Sequence, residues 1–144
     1  MAAKQVESSE RDSEVARETA TAFGRAFTQG EVDAFLALLA PDVAFEVPSV
    51  MRDTVVELKG HEGVRRYLEQ TATEYDELRV ESKEIRECGG GRFLLLGSWQ
   101  ATVRKTRTHF GTPMGAVLDI SAGKVIRLRA FFDEQLAVAA AAGD

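Results

Sequence analysis

Few side chains in this 144-residue chain can move a proton near neutral pH, so their positions carry weight. His109 titrates in the right range for acid–base work and falls on a long strand just before "GTPMG"; the competing role is a hydrogen-bonded structural or exposed histidine. Glu46 is the carboxylate of "DVAFEVP" (42–48), and strand alternation sets it on the face opposite Val47. There it can pair across strands with Arg127 or Arg129. Tyr67 either brings one hydroxyl to the mouth of a pocket or is a core tyrosine with its hydroxyl satisfied. "KVIRLRAFFDEQL" (124–136) poses the sharpest question: Arg129 and Asp133 are either working groups of a site, or an outer-face arginine and a helix cap.

The remaining reactive types point away from metals and nucleophiles. His61 and His109 are the only histidines, so a metal centre needs carboxylates, and no spacing builds one. Cys88 is the single cysteine, which excludes an internal disulfide, and its place beside a glycine triplet fits an inert thiol. "CGGGR" falls between two strands instead of opening a helix, so it is a hairpin turn and not a phosphate loop. No cofactor is expected. A net charge of −5 repels a phosphate backbone, which argues against nucleic acid despite the local patch Arg104, Lys105 and Arg107. No apolar run reaches the length needed to span a bilayer, and the first residues are polar and acidic. The expectation is a cytoplasmic chain without a membrane partner.

These side chains must be positioned by a single domain with its own core. Val15, Ala16, Thr19, Ala20, Phe23, Ala26 and Phe27 recur at three and four, which predicts a helix over 13–27, after a polar extension over 1–12. Ser9, Asp12 or Ser13 would cap its start, and Gly30 suits its end. A second short helix buries Val32, Phe35, Leu36 and Leu39 and closes at Pro41. The strand 42–48 ends at Pro48, and the segment 49–60 is a less regular connection, long enough to form a flap or a short strand. Arg52 and Asp53 in it are solvated or close over a ligand. A third helix runs from an exposed His61 to about Thr73, through Val64, Tyr67, Leu68 and Thr71. Then come a hairpin with an apolar run Phe93–Leu96 of the kind buried on both faces, a strand kinked at "GTPMG", the strand 124–132, and an alanine-rich last helix. Helices first and long strands afterwards point to an α+β fold with helices on one face of a curved antiparallel sheet.

That order, with "FGRAFTQGEVDAFLALLAPDVAFEVP" (23–48) and "GKVIRLRAFFDEQLAVAAAAG" (123–143), resembles the nuclear transport factor 2-like superfamily, nearest its SnoaL-like polyketide cyclase and ketosteroid isomerase-like branch. The resemblance implies an α+β cone, three or four helices packed on a strongly curved, mostly antiparallel sheet, formed as one domain over 13–144. It also implies a deep apolar pocket and a homodimer through the outer sheet face. The isomerases of that branch keep a tyrosine, a base and an acid where this chain has Phe23, Val47 and either Gly115 or Ala116. A related epoxide hydrolase layout needs an acidic residue at Ala130. None of these residues exchanges a proton.

If the last strand keeps the family's orientation, Leu128, Ala130 and Phe132 face inward and Arg127, Arg129 and Phe131 outward. The arginines are then a solvated or dimer-facing row. The expectation is a pocket lined by Phe23, Phe27, Val47, Leu128, Ala130 and Phe132, with Trp99 either closing it or packing at the dimer face. Its occupant is a small hydrophobic molecule. The alternatives are a cyclase, isomerase or hydrolase that relies on His109, Glu46 or Tyr67, or a dimeric protein-interaction module.

Overall fold

A computed structural model of the chain describes residues 2–48 and 55–143. Among the described residues four helices and six strands follow one another as α1 (Ala2–Gln29), α2 (Val32–Ala37), β1 (Leu39–Pro48), β2 (Val55–Lys59), α3 (Gly60–Glu74), β3 (Tyr75–Gly89), β4 (Arg92–Val103), β5 (His109–Ser121), β6 (Lys124–Phe131) and α4 (Glu134–Ala142). The strands make one sheet in the order β2-β1-β6-β5-β4-β3. All neighbours are antiparallel except β1 and β6, which run parallel.

Helix α1 begins at Ala2, ahead of the residues expected to cap it, so the polar stretch before Ser13 belongs to the helix. Its Ala, Gln, Glu, Lys and Arg are good helix formers, so they extend the turns anchored by the buried Ala16, Ala20 and Phe23. The helix ends as expected at Gly30, whose φ is +70°. In α2 Phe35 and Leu36 are buried, but Val32 is exposed. Leu39, expected on the same helix face, is buried as the first residue of β1. The strand therefore starts before Pro41, in place of a helix closed by it. Residues 49–54, with Arg52 and Asp53, lie outside the described residues, and the connection ends in the short strand β2.

The long hairpin turns at Gly89, Gly90 and Gly91, all with positive φ, as required of a chain reversal without side chains. Beyond it, β4 and β5 pair without a break from Arg92↔Asp119 to Thr102↔His109. The kink expected at "GTPMG" is absent from that register. The reason lies on the other edge: β6 ends at Phe131 opposite Gly115, so Pro113 sits where β5 has only one neighbour. An irregularity occurs instead in β5–β6, between Asp119 and Ile120.

Helices α1, α2 and α3 cover the inner face of the sheet. The inner core joins Phe23 of α1, Phe35 of α2, Val64 of α3, and Phe45, Phe93, Leu118 and Leu128 of the strands. The rings of Phe23 and Phe35 pack at a tilt of 43°, with centroids 4.7 Å apart. The expected run Phe93–Leu96 is buried on both sides: Phe93 and Leu95 point into this core, and Leu94 and Leu96 into a second one. That second core is the correction to an architecture with helices on one face only. After Phe132 the chain bends, and α4 packs Ala137 and Ala141 over Leu94, Leu96, Val117 and Phe131 on the outer face. Asp133 caps α4 by accepting from the Leu136 N–H at 3.0 Å.

Close approach leaves some positions open only to glycine. A Cβ on Gly97 would overlap the Glu81 carbonyl of the neighbouring strand, where no flexible side chain can give way. Gly63 on α3 has its nearest neighbour at 4.0 Å. Gly97→Ala should therefore lower stability by about 1–3 kcal/mol, read as a lower urea midpoint at unchanged slope, while Gly63→Ala should be neutral or raise it.

Candidate functional site

Alternation along the central strands decides what faces the interior. On β1 the side chains of Val43, Phe45 and Val47 are buried, while Ala44 is exposed and Glu46 half-buried. Strand β6 pairs Phe45 with Leu128 on one side, and Ala116 with Ala130 on the other. Between this inner face, α1 and α3 lies a cavity of about 400 Å3. Helix α1 contributes Phe23 and Phe27, and the sheet contributes Val47, Ala116, Leu128 and Ala130. Trp99 of β4 and Phe132, just past β6, line it as well, with ring centroids 5.7 Å apart. The six residues expected to line a pocket border this cavity, and so does Trp99, which the sequence left between the pocket and a dimer face.

The polar candidates separate. Glu46 faces outward and pairs with Arg127 at 3.2 Å. His109 is exposed at the start of β5, its Nδ1 3.1 Å from the Thr102 hydroxyl, and does not border the cavity. The two are not brought together. His61, expected to be exposed, is half-buried, and its Nε2 lies 2.8 Å from the Leu39 carbonyl oxygen because the first turn of α3 packs on β1. Cys88 is exposed near the end of β3. Arg127 and Arg129 take the outer face as the alternation requires, but Arg129 is not solvated. It is 8% exposed and donates to the Ala140 carbonyl of α4 at 3.4 Å.

Tyr67 is the polar candidate that borders the cavity. It opens a short series on α3, for Thr71 and Glu74 follow it at helical spacing and border the same space. Tyr75, the first residue of β3, joins them and packs edge-on against Trp99 at 5.2 Å. Sequence reasoning passed over Glu74 and Tyr75, although their spacing from Tyr67 was a visible signal. Burial pushes the Tyr67 hydroxyl above its ordinary pKa, hydrogen bonding to Thr71 partly offsets this, and the charge of Glu74 raises it further. Tyr75 is raised in the same direction, first by burial and then by Glu74. Among the described residues no three His, Cys, Asp or Glu side chains stand close enough to hold a metal ion, and no helix is long and apolar enough to cross a membrane.

These are the only two tyrosines in the chain. A spectrophotometric titration of the folded protein should show phenolate absorbance rising above pH 10, later than for the urea-unfolded chain, which titrates near about 10. Folding holds both protons more tightly, so this contribution to stability is whole below the unfolded pKa and is lost as pH climbs through the folded values. Coincident titration of the folded and unfolded chains would contradict the burial of these hydroxyls.

With this geometry in hand, comparison with known proteins is informative. Residues 20–128 match the sequence profile of the SnoaL-like domain. Comparison with curated proteins gives no match. Among solved structures, a nuclear transport factor 2-like protein of unknown function from Burkholderia pseudomallei superposes with a TM-score of 0.73 at 23% identity, over 87% of this chain and 95% of that one. A protein described as a candidate polyketide cyclase from Xanthomonas campestris gives 0.68 at 21% identity, over 89% and 97%. A further nuclear transport factor 2-like protein, from Burkholderia xenovorans, gives 0.68 at 24% identity, over 90% and 97%. At such identities the likeness shows a shared fold.

Proposed function

Because the chain belongs to the SnoaL-like domain family, we propose that it is a pocket protein of the cytoplasm that holds a small hydrophobic molecule by burial. The observation that carries this reading is the lining. The positions that the resemblance assigns to proton-handling groups carry Phe23, Val47 and either Gly115 or Ala116, and Phe23, Val47 and Ala116 give the cavity apolar surface. The volume of about 400 Å3 falls in the range that holds small organic ligands. Each 100 Å2 of apolar ligand surface removed from water contributes about 2.5 kcal/mol, which needs neither ion pairs nor titrating groups. The partner in this reading is a small molecule and not nucleic acid. A neutral fluorophore such as N-phenyl-1-naphthylamine should bind one per chain and quench Trp99, the single tryptophan, with little dependence on salt or on pH between 6 and 8. Ala130→Phe should fill the space and weaken binding at least tenfold; binding that collapses in high salt, or that ignores Ala130→Phe, would remove the proposal.

A second reading keeps Tyr67 as a working group, favoured by its place on the cavity wall. In a cyclase, isomerase or hydrolase its hydroxyl would donate to a developing oxyanion. Any turnover found among cyclic ketones or epoxides should then fall about a hundredfold in Tyr67→Phe, without loss of fluorophore binding. Unchanged turnover would eliminate this role. The homodimer expected from the resemblance also belongs to this proposal, with α4 in the contact. That helix lies on the outer face and leaves Leu136 58% exposed. Sedimentation should give a dimer that Leu136→Glu dissociates, and a monomer at every micromolar concentration would exclude it.

A further inference from the structure

The charge around the cavity is one-sided. Among the described residues bordering it there is no Lys, Arg or His, and two carboxylates, Glu74 and Glu81. Glu81 is opposite Ser98, between the inward pair Val80↔Trp99 and the pair Ser82↔Gly97, so alternation turns its carboxylate to the outer face and leaves its backbone at the wall. Glu74 is different. It stands at the end of α3, and among the described residues it has no ion-pair partner. The arginines nearest in the fold are engaged elsewhere: Arg104 and Arg107 pair with Asp76 at 3.0 and 2.7 Å, and Arg104 also donates to the Ala72 carbonyl at 3.1 Å. The negative charge of Glu74 reaches both tyrosine hydroxyls.

Beside this carboxylate lies a corner of aromatic rings on the cavity wall. Tyr75 meets Trp99 edge-on at 5.2 Å, and the ring of Phe132 lies 5.7 Å from that of Trp99. Ring faces attract a desolvated cation and repel an anion, and an unpaired carboxylate adds to both effects. An apolar body satisfied by Phe23, Val47 and Leu128 would then be oriented by whatever charge it carries at this corner.

We propose that the cavity selects amphipathic cations, apolar molecules bearing a protonated or quaternary amine, with the nitrogen seated between Glu74 and the Tyr75–Trp99–Phe132 corner. The proposal rests on the reading of the cavity as a hydrophobic pocket and adds the charge class of its ligand. It also gives a part to Glu74, an exposed residue that packing into the core does not account for.

The test uses three probes that share a naphthalene body: neutral 2-naphthalenemethanol, cationic (2-naphthylmethyl)trimethylammonium and anionic 2-naphthylacetate. Binding to the full chain is measured by calorimetry at low and high salt. The cation should bind about tenfold more tightly than the neutral probe, and the anion more weakly than either. High salt should weaken the cation alone. Glu74→Gln should remove most of the cation's advantage without altering the affinity of the neutral probe. A neutral probe that binds as tightly as the cation, an anion that binds best, or an advantage that survives Glu74→Gln would overturn the charge preference while leaving the hydrophobic pocket intact. Failure of all three probes to bind would overturn both.

Discussion

A single register decides which chemistry this molecule can offer. Strand β6 is held between β1 and β5, with Leu128 opposite both Phe45 and Leu118, and Ala130 opposite Ala116. Side chains on a strand alternate strictly, so these pairs send Leu128 and Ala130 inward and Arg127 and Arg129 outward together. A slip of one residue would reverse every side chain, placing two guanidiniums inside and stranding the apolar residues in the outer layer. Both outcomes are costly, for a guanidinium against Phe23 and Phe35 has no partner there and the freed leucine would face the polar layer. The same pairing that closes the core thus removes charge from the cavity.

The outer layer shows why arginine is tolerated under a helix. Helix α4 covers the outward apolar residues Leu94, Leu96, Val117 and Phe131, and Gly115 leaves the space that Ala137 fills. The last carbonyls of a helix have no partner within it. Arg129 reaches the Ala140 carbonyl, and Arg92 reaches that of Gly143 at 2.6 Å while holding Asp119 at 2.7 Å. Positive charge at a helix C-terminus also opposes the negative end of its dipole. Arg129, which in isolation reads as part of a solvated or dimer-facing row, therefore joins Arg92 in clamping α4, while Arg127 pairs with Glu46. The apolar run Phe93–Leu96 had already shown that β4 needs cover on both faces, so the expectation of helices on one face conflicted with a signal in the same sequence.

Legibility followed the reach of each physical rule. The helices, the hairpin and the strands were visible because period and turn chemistry are local properties, as at Gly30 and Gly89–Gly91. Glu46 could be set on the outer face, with Arg127 or Arg129 as its partner, because alternation is local, and the structure pairs it with Arg127. What escaped was non-local. The parallel sense of the β1–β6 pair and the buried environment of Arg129, which depends on where α4 folds back, come only with the tertiary fold. Leu39 has the apolar character of both a helix face and a strand, and only the start of β1 distinguishes them. Tyr75 and Glu74 were hidden for another reason: they straddle the junction of α3 and β3, where reading helix and strand separately divides one cluster in two.

The surviving polar groups constrain the cavity's chemistry by their protonation. Burial and the neighbouring carboxylate hold the Tyr67 and Tyr75 hydroxyls neutral well beyond physiological pH, so each can donate a hydrogen bond and neither can serve as a base. Glu74 is a carboxylate on this wall that the described residues leave without an ion pair. Proton abstraction followed by return at a second carbon needs a base set deep beside the reacting atom, but the inner wall there is Val47, Ala116 and Ala130. In the proposed reading a ligand carbonyl would be oriented by tyrosine and a ligand cation by glutamate, with the apolar floor supplying affinity to both. An arrangement that is apolar at depth and polar at one corner discriminates by which end of a molecule enters first. That selectivity belongs to recognition, and it operates whether or not a bond is made or broken inside.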